Sequence, residues 1–235
     1  MHPPGLLTSD RTGDKVLNEE QSLFGRSEGA GMSLLDIAKE HKPTILIGLT
    51  ACGGLFKEPL IRAMAEGVDR PIVFPLSNPT ASAECTAEQA YEWTDGKCIF
   101  ASGSPFDPVT YGGQTYTPTQ CNNMFVFPGI GLGTTVCGAK MVTDRVLYVA
   151  AEALASYLTE EELAEGKVFP RVEDIRKVSH AVACAVIREC VRSKISTKIK
   201  DTGETKKLYD NLEAYVWSKM YDPQYVPIVE KESAT

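Results

Sequence analysis

The chain has 235 residues, long enough for one large domain or two smaller ones with a sizeable buried core. Hydrophobic residues make up 43% of it and charged residues 23%, which is usual for a soluble globular protein. The formal net charge of −7, without any basic stripe, argues against binding to nucleic acid or to an anionic membrane.

The seven cysteines and three histidines are too scattered to suggest a zinc site, and no cysteine pair has C-x-x-C spacing. Reduced thiols in an intracellular compartment are the simplest interpretation. The N-terminus lacks the charged and apolar stretches of a signal peptide. The apolar half of the uncharged run 108–139 is broken by Pro128 and four glycines, so no membrane span is predicted.

Residues 1–32 are rich in Gly, Ser, Asp and Glu, and they predict surface loops with one short helix around residues 15–23. Beyond them, short apolar runs alternate with segments that carry helix-start signals, such as the Thr86/Gln89 capping box. The predicted elements are a helix from Ser33 to the Lys42-Pro43 pair, a strand at 44–50, a helix at 56–67, a strand at 71–77, a helix at 86–94 and a strand at 97–104.

This alternation of strands and helices is typical of an open parallel sheet in the α/β class. From Met124 onward the chain reads as helical, and the aromatic, proline-broken tail 215–229 is predicted to be extended and packed on the body or on another subunit. The later helices are predicted at 142–158, 159–166 and 172–191. We therefore expect three parts: a loop-rich segment 1–32, a sheet domain 33–140, and C-terminal helices with the tail, 141–235.

Two glycine-rich runs invite a phosphate-binding interpretation, but neither fits it. "GLTACGGL" (48–55) has G-x-x-x-x-G spacing, yet Gly54 and Leu55 stand where a lysine and a hydroxyl residue are needed. "GIGLG" (129–133) lacks the third glycine of G-x-G-x-x-G and is not preceded by a strand. Each run by itself favours a tight turn or close helix packing.

The three predicted strands all end in small or polar residues, at 50–54, 77–79 and 102–105. In open parallel sheets, ligands bind beyond the carboxyl ends of the strands. Gly53 and Gly54 would let the backbone approach a ligand closely. Pro79 restricts the backbone of Asn78, whose carboxamide can donate and accept hydrogen bonds at once. A simple turn at Asn78 is an equally good interpretation.

A second carboxamide pair, Asn122-Asn123, lies inside the uncharged run. It could serve as a helix cap, but buried amides need partners, and a small polar ligand between Asn78 and this pair would supply them. We find no Ser/His/Asp arrangement and no acidic spacing for a metal, so no catalytic residue and no metal ligand is assigned. Asp107 is most simply a turn residue.

Long motifs of the chain resemble the malic enzyme family, and the likeness covers most of residues 5–195. It implies a partial Rossmann-like parallel sheet with flanking helices, followed by a C-terminal helical extension and the tail. The motifs that carry it are "KPTILIGLTACGGLFKEPLIRAMA", "FPLSNPTASAECTAEQAYEWTDGKCIFASGSPFDPV", "YTPTQCNNMFVFPGIGLG" and "LTEEELAEGKVFPRVEDIRKVS".

Malic enzymes oxidise L-malate at C2 with NAD or NADP and decarboxylate the product to pyruvate and CO2, assisted by Mg²⁺ or Mn²⁺. The resemblance implies that Asn78, Asn122 and Asn123 bind the substrate. It also implies a homo-oligomer. The residues it assigns to the dinucleotide crevice are Gly53, Gly54, Ser77, Asn78, Ser102, Gly103 and Ser104.

The chain departs from the family in two respects. The family usually has Gly-Gln-Gly-Asn-Asn where this chain has Thr119-Gln120-Cys121-Asn122-Asn123, so the loop would shift if those glycines need positive φ or close substrate approach. The family's catalytic tyrosine and lysine, metal-binding carboxylates and G-x-G-x-x-G turn all precede the matched region.

We therefore expect the C-terminal NAD(P)-binding part of a malic enzyme, inactive by itself, with the metal bound by the missing N-terminal half. The alternatives are a non-catalytic module that complements a separate N-terminal half, or an incomplete gene model. The choice between NAD and NADP, and between cytosol, mitochondrion and plastid, stays open.

Overall fold

The computed structural model describes residues 6–11, 16–223 and 225. Backbone contacts divide these residues into two compact units. Unit 1 takes the described residues up to Met124 together with Ala155–Ile175. Unit 2 takes Phe125–Leu154 together with the described residues from Arg176 onward. The boundaries at 32/33 and 140/141, which were drawn from sequence patterns, stay a prediction.

Unit 1 contains a parallel sheet, as the alternation of strands and helices predicted. The strands are β1 Ile45–Gly48, β2 Ile72–Pro75, β3 Ile99–Ser102, β4 Val109–Tyr111, β5 Gln114–Tyr116 and β6 Thr119–Gln120. β1, β2, β3 and β6 are neighbours in that order and run parallel, whereas β4 and β5 form a separate antiparallel hairpin. The α/β class is confirmed, but sequence analysis missed the hairpin and β6.

Helices flank this sheet and make up most of unit 2. Within the described ranges they are α1 Glu19–Ser22, α2 Leu34–His41, α3 Glu58–Gly67, α4 Ala87–Trp93, α5 Phe127–Cys137, α6 Asp144–Ala155, α7 Glu160–Ala164, α8 Ile175–Arg192, α9 Lys206–Asp210 and α10 Leu212–Lys219. None of them is both long enough and apolar enough to cross a bilayer.

Local capping chemistry explains why the predicted helices begin where they do. At α4, Thr86 Oγ1 accepts from the Gln89 N–H while Gln89 Oε1 accepts from the Thr86 N–H, which satisfies two donors of the first turn. α2 and α7 begin with the same reciprocal bonds, at Ser33 and Thr159. Such signals lie within four residues of each other, so the sequence alone is enough to find them.

The core of unit 1 holds α3 and α4 against the sheet. Ile61 and Met64 of α3, Val73 of β2 and Phe100 of β3 have at most 1% of their surface exposed. Each such side chain contributes about 1.5–3 kcal/mol to folding. The hairpin joins this core through Tyr116, whose ring stacks on that of Tyr91 in α4 at a centroid distance of 4.4 Å.

In unit 2, the "GIGLG" run lies inside α5 and permits close packing against α8. A Cβ added at Gly129 would lie 2.6 Å from Val182 Cβ, and one at Gly133 would lie 2.9 Å from the Ala183 carbonyl oxygen. The interpretation as close helix packing is confirmed, and the two glycines face an apolar stripe of α8. Its members Val178, Val182, Val186 and Cys190 are fully buried.

The prediction of an extended tail is wrong for its first part, because residues 215–219 belong to α10. Its aromatic residues and prolines suggested an extended chain. Leu212 and Val216, one helical turn apart, are instead fully buried, and this packing stabilises a helix. Residues 224 and 226–229 of the tail lie outside the described residues. Near the N-terminus, the described part of the predicted helix at 15–23 contains α1, and residue 15 lies outside the described residues.

The glycine contacts give a stability prediction with an internal control. We expect Gly129→Ala to destabilise the chain by about 1–3 kcal/mol, because the new methyl group would overlap Val182. Gly131→Ala, in the same helix but with open space around the added Cβ, should stabilise the chain by about 0.5–1 kcal/mol. Urea unfolding of the full chain measures both changes. Equal losses at the two positions would contradict the packing model.

Candidate functional site

The carboxyl ends of β1, β2 and β3 lie side by side, because the three strands are adjacent and parallel. The segments that follow these strands, residues 50–54, 77–79 and 102–105, therefore meet at one edge of the sheet. This edge is where ligands bind in open α/β sheets. Every residue of the predicted site belongs to unit 1.

A buried glutamate joins the first two strand ends. Glu84 has no exposed surface, and its Oε1 accepts from the Thr50 N–H at 2.9 Å, the Thr50 hydroxyl at 2.7 Å and the Ser77 hydroxyl at 2.5 Å. Desolvation alone raises the pKa of Glu84, but the hydrogen bonds from Ser77 and Thr50 outweigh it and hold the pKa below its ordinary value. The side chain is therefore a charged carboxylate at neutral pH, with three close donors on one of its oxygens.

Sequence analysis missed Glu84. The available signal was a lone carboxylate in the run of small residues "ASAEC", directly before the α4 cap. Its partners Thr50 and Ser77 lie 34 and 7 residues away along the chain. Only the pairing of β1 with β2 brings all three together.

The loop after β1 has a backbone that few side chains would permit. Ala51 lies in the left-handed region with φ 54°, and its N–H donates to Ser77 Oγ at 2.9 Å. A Cβ at Gly53 would lie 2.5 Å from the Ala81 carbonyl oxygen, so only glycine fits there. Gly54 has φ 71° and open space where a Cβ would stand, so a ligand can approach its backbone.

Two of the predicted serines have hydroxyl groups that are used inside the protein. Ser77 Oγ donates to Glu84 and accepts from Ala51, and the residue is 6% exposed. Ser102 is fully buried, and its hydroxyl donates to the Ser104 carbonyl oxygen at 2.8 Å. Both side chains therefore support the strand ends from within.

The predicted asparagines meet at the Gly103-Ser104 pair. Asn78 is exposed, and its Oδ1 accepts from the Ser104 hydroxyl at 2.6 Å. Asn122 Nδ2 donates to the Gly103 carbonyl oxygen at 3.4 Å. The structure therefore brings Asn78 and Asn122 into contact with one dipeptide. Asn123, which is exposed, begins a short 3₁₀ turn.

Gly103 lies at the centre of this group, and its small size is required. A Cβ there would overlap the Leu76 carbonyl oxygen and lie 2.9 Å from Asn78 Oδ1. Its carbonyl oxygen also accepts from Gln120 Nε2 at 3.1 Å, a contact that sequence analysis did not predict. Gln120 and Asn122 therefore hold the same carbonyl group from two neighbouring positions of one loop.

The departures at Thr119 and Cys121 leave the backbone of this loop regular. Neither residue has a positive φ. Thr119 pairs with Ala101 in the sheet, and the Cys121 N–H donates to the Ser102 carbonyl oxygen at 2.8 Å. Thr119 does carry a cost, since its buried hydroxyl has no hydrogen-bond partner among the described residues.

Metal binding does not fit the described part of this chain. It contains no group of three or more His, Cys, Asp or Glu side chains that could hold an ion. The candidate site offers carboxamides, hydroxyls and backbone amides, and it lacks the exposed carboxylates that Mg²⁺ favours. These groups suit a small polar ligand or the polar parts of a dinucleotide.

Comparison with protein families matches residues 2–191 to the family described as malic enzyme, NAD binding domain. The chain belongs to the malic enzyme family. This match confirms the resemblance seen in the strand-end motifs, and it spans both the sheet and α8.

Curated malic enzymes align over nearly the whole chain. An NADP-dependent malic enzyme of Dictyostelium discoideum is 45% identical over 223 residues, covering 94% of this chain and 39% of the relative. The NADP-dependent malic enzyme of Homo sapiens is 41% identical, with 96% and 38% covered. A mitochondrial NAD-dependent malic enzyme of Solanum tuberosum is 42% identical, with 88% and 34% covered. The chain thus spans less than two fifths of the length of these relatives.

Solved malic enzymes share the fold. The enzyme from Pyrococcus horikoshii superposes with a TM-score of 0.63 at 28% identity, over 91% of this chain and 46% of that chain. The enzyme from Entamoeba histolytica superposes with a TM-score of 0.59 over 81% of this chain and 36% of that chain, and its 22% identity supports the fold alone. The Rossmann-like parallel sheet of malic enzymes is therefore confirmed.

The unpartnered hydroxyl of Thr119 predicts a stabilising substitution. Thr119→Val keeps the shape of the side chain and removes the unsatisfied group, so we expect stability to rise by about 1 kcal/mol. Thr50→Val is the matched control, because it removes a hydroxyl that donates to Glu84, and it should destabilise the chain. Thermal unfolding compares the two variants, and a loss at Thr119 would count against this prediction.

The lowered pKa of Glu84 predicts that the difference in stability between wild type and Glu84→Gln depends on pH. Its folded-state pKa is lowered, so the carboxylate stabilises the fold above the ordinary value of 4.5, and this contribution is lost as pH falls through the lowered pKa. We expect Glu84→Gln to cost about 2 kcal/mol at pH 7, and the difference from wild type to shrink in acid. Urea unfolding from pH 7 to pH 3 measures it. A difference independent of pH would contradict the charged state of Glu84.

Proposed function

We propose that this chain supplies the NAD(P)-binding part of a malic enzyme, the enzyme that converts L-malate to pyruvate and CO2 while reducing NAD or NADP. One observation carries this proposal. Asn78 and Asn122 converge on the Gly103-Ser104 pair beside the strand ends, within a chain that matches the family's NAD-binding domain. The malic enzymes that align with most of this chain support the reaction.

The dinucleotide would lie along the edge formed by the strand ends. Exposed backbone at Gly53 and Gly54 would contact it, and Asn78 and Ser104 would supply polar side chains. Ser77, Ser102 and Gly103, which are buried, would shape the edge from beneath. When bound, the cofactor would supply the hydride acceptor.

The substrate would be held by carboxamides. Amide N–H groups of Asn78, Asn122 and Asn123 can donate to the carboxylates of malate, and their oxygens can accept from its hydroxyl group. Holding C2 of malate beside the nicotinamide in a fixed orientation would favour hydride transfer. The exposure of Asn78 and Asn123 supports this role, since both side chains can meet a ligand.

Catalytic proton transfer and metal binding are assigned to the remainder of a malic enzyme. This chain spans 39% of the Dictyostelium relative, and its described residues include no metal-binding cluster. We therefore propose that the isolated chain is inactive. Its seven scattered cysteines, none with C-x-x-C spacing, support an intracellular location, and exposed apolar side chains of the tail such as Trp217 of α10 support a homo-oligomer.

The proposal predicts ligand binding without turnover. Purified chain mixed with L-malate, Mn²⁺ and either NAD or NADP should give negligible reduction, whereas NADH and malate should shift the amide resonances of Gly53, Gly54 and Ser104. Asn78→Ala should weaken these responses about tenfold, the effect of about 1.4 kcal/mol. Asn211→Ala, in unit 2, is the matched control. Robust turnover would refute the inactivity, and unshifted resonances would refute the binding site.

A second candidate function is an assembly module that is not itself catalytic. The edge strand β1 has apolar side chains exposed on one face: Ile45 is 50% exposed, Ile47 54% and the adjoining Leu49 75%. Strands of parallel sheets are normally covered on both faces, and an open edge can accept another strand. Among the described strands, β1 pairs only with β2. The occupant we propose is the N-terminal portion of a malic enzyme.

Co-expression with the N-terminal portion of the Dictyostelium relative distinguishes the two functions. Stable association with malate-dependent NADP reduction supports the catalytic role, and association without activity supports the assembly module. Ile47→Lys should abolish association, because it places a charge on the exposed face of β1. Leu147→Lys, at an exposed apolar position of α6, should leave it intact. Failure of the wild-type chain to associate would refute the complementation.

A further inference from the structure

Glu84 is a buried carboxylate beside the candidate site. It lies behind the strand ends, has no exposed surface, and cannot meet a ligand directly. A buried carboxylate is costly unless its oxygens are fully bonded, so its presence calls for a physical reason. Its side-chain donors, Thr50 and Ser77, stand at the ends of the first two strands.

The contacts of Glu84 lead to the strained residue of the site. Ser77 donates to Glu84 at 2.5 Å, which directs a lone pair of the same hydroxyl oxygen toward the Ala51 N–H at 2.9 Å. Ala51 has φ 54°, a left-handed conformation that is strained for a residue other than glycine. Such a conformation persists only where its surroundings enforce it.

The segment that carries Glu84 also holds the rest of the loop. The Gly54 N–H donates to the Ala83 carbonyl oxygen at 3.1 Å, and the Phe56 N–H donates to the Glu84 carbonyl oxygen at 2.9 Å. Gly48 at the end of β1 makes room for the carboxylate, since a Cβ there would lie 2.5 Å from Glu84 Cδ. Side chain and backbone of residues 83–84 therefore fix one loop together.

We propose that Glu84 is a positioning residue for dinucleotide binding. It orients Ser77 and Thr50 so that Ala51 keeps its left-handed backbone and the Gly53-Gly54 peptide faces the ligand edge. The inference rests on the proposed function, because it concerns how that function's cofactor loop is held.

Hydrogen exchange of the full chain tests the positioning directly. Glu84→Gln keeps the size of the side chain but places an amide where a charged acceptor stood. The amides of α4 and β3 should record only the general loss of stability, and the Ala51, Cys52 and Gly54 amides should lose protection by at least a further tenfold. Glu88→Gln, which alters an exposed glutamate of α4, is the matched control and should change none of them.

A second substitution distinguishes a loss of loop positioning from a general loss of stability. Adding Ala51→Gly to Glu84→Gln should restore much of the protection at Gly54, because glycine adopts the left-handed conformation without strain. Unchanged exchange in Glu84→Gln would overturn the proposal. So would an equal increase throughout unit 1, or a double variant that is no better protected than the single one.

NADH titration tests whether the conformation of the loop after β1 affects the affinity for the cofactor. If the wild-type chain binds NADH, Glu84→Gln should weaken binding at least tenfold and the double variant should regain part of the loss. Wild-type affinity in Glu84→Gln would overturn the proposal. A wild-type chain that does not bind NADH would instead refute the proposed function, and the exchange measurement would still decide whether Glu84 holds the loop.

Discussion

The carboxylate of Glu84 lies between the ends of β1 and β2 with its charge removed from water. Removing a charge from water costs several kcal/mol, so the carboxylate must be matched by donors held in place. Thr50 and Ser77 supply these donors only while the two strands are paired in their observed register. The same bonds that make the charge tolerable therefore also fix the two segments that follow the strands.

The second half of the candidate site depends on the absence of side chains. Gly103 lets the ends of β2 and β3 approach closely, and Asn78 and Asn122 bond to the Gly103-Ser104 dipeptide. The buried charge of Glu84 and the close backbone contact at Gly103 thus fix neighbouring strand ends by different means. In both cases the buried groups hold the strand ends together, and the side chain of Asn78 remains exposed.

Glycine has a related role in unit 2, where Gly129 and Gly133 bring α5 against the apolar stripe of α8. Helices that pack at such short range gain dispersion contacts along their backbones, and they tolerate no added methyl group there. The exposed apolar face of β1 is the opposite case, a surface without a partner among the described residues. The curated relatives in the malic enzyme family are more than twice as long, and we propose that their N-terminal portion covers this surface.

The sequence by itself determined the α/β class, the helix starts and the family. Capping boxes such as Thr86 with Gln89 act within four residues, and strand-helix alternation is visible in the order of apolar runs. It also placed Asn78 and the two glycines 53 and 54 at a strand end. These features depend on local chemistry, so no knowledge of distant contacts was needed.

Only the tertiary structure decided which of those residues point inward. The hydroxyl of Ser77 is used by Glu84 and Ala51, and the left-handed backbone of Ala51 depends on a partner 26 residues away. The helix at residues 215–219 likewise follows from burial of Leu212 and Val216, which overrides the β propensity of its aromatic residues. A side chain's partner across a sheet is set by strand register, and register is a property of the folded chain as a whole.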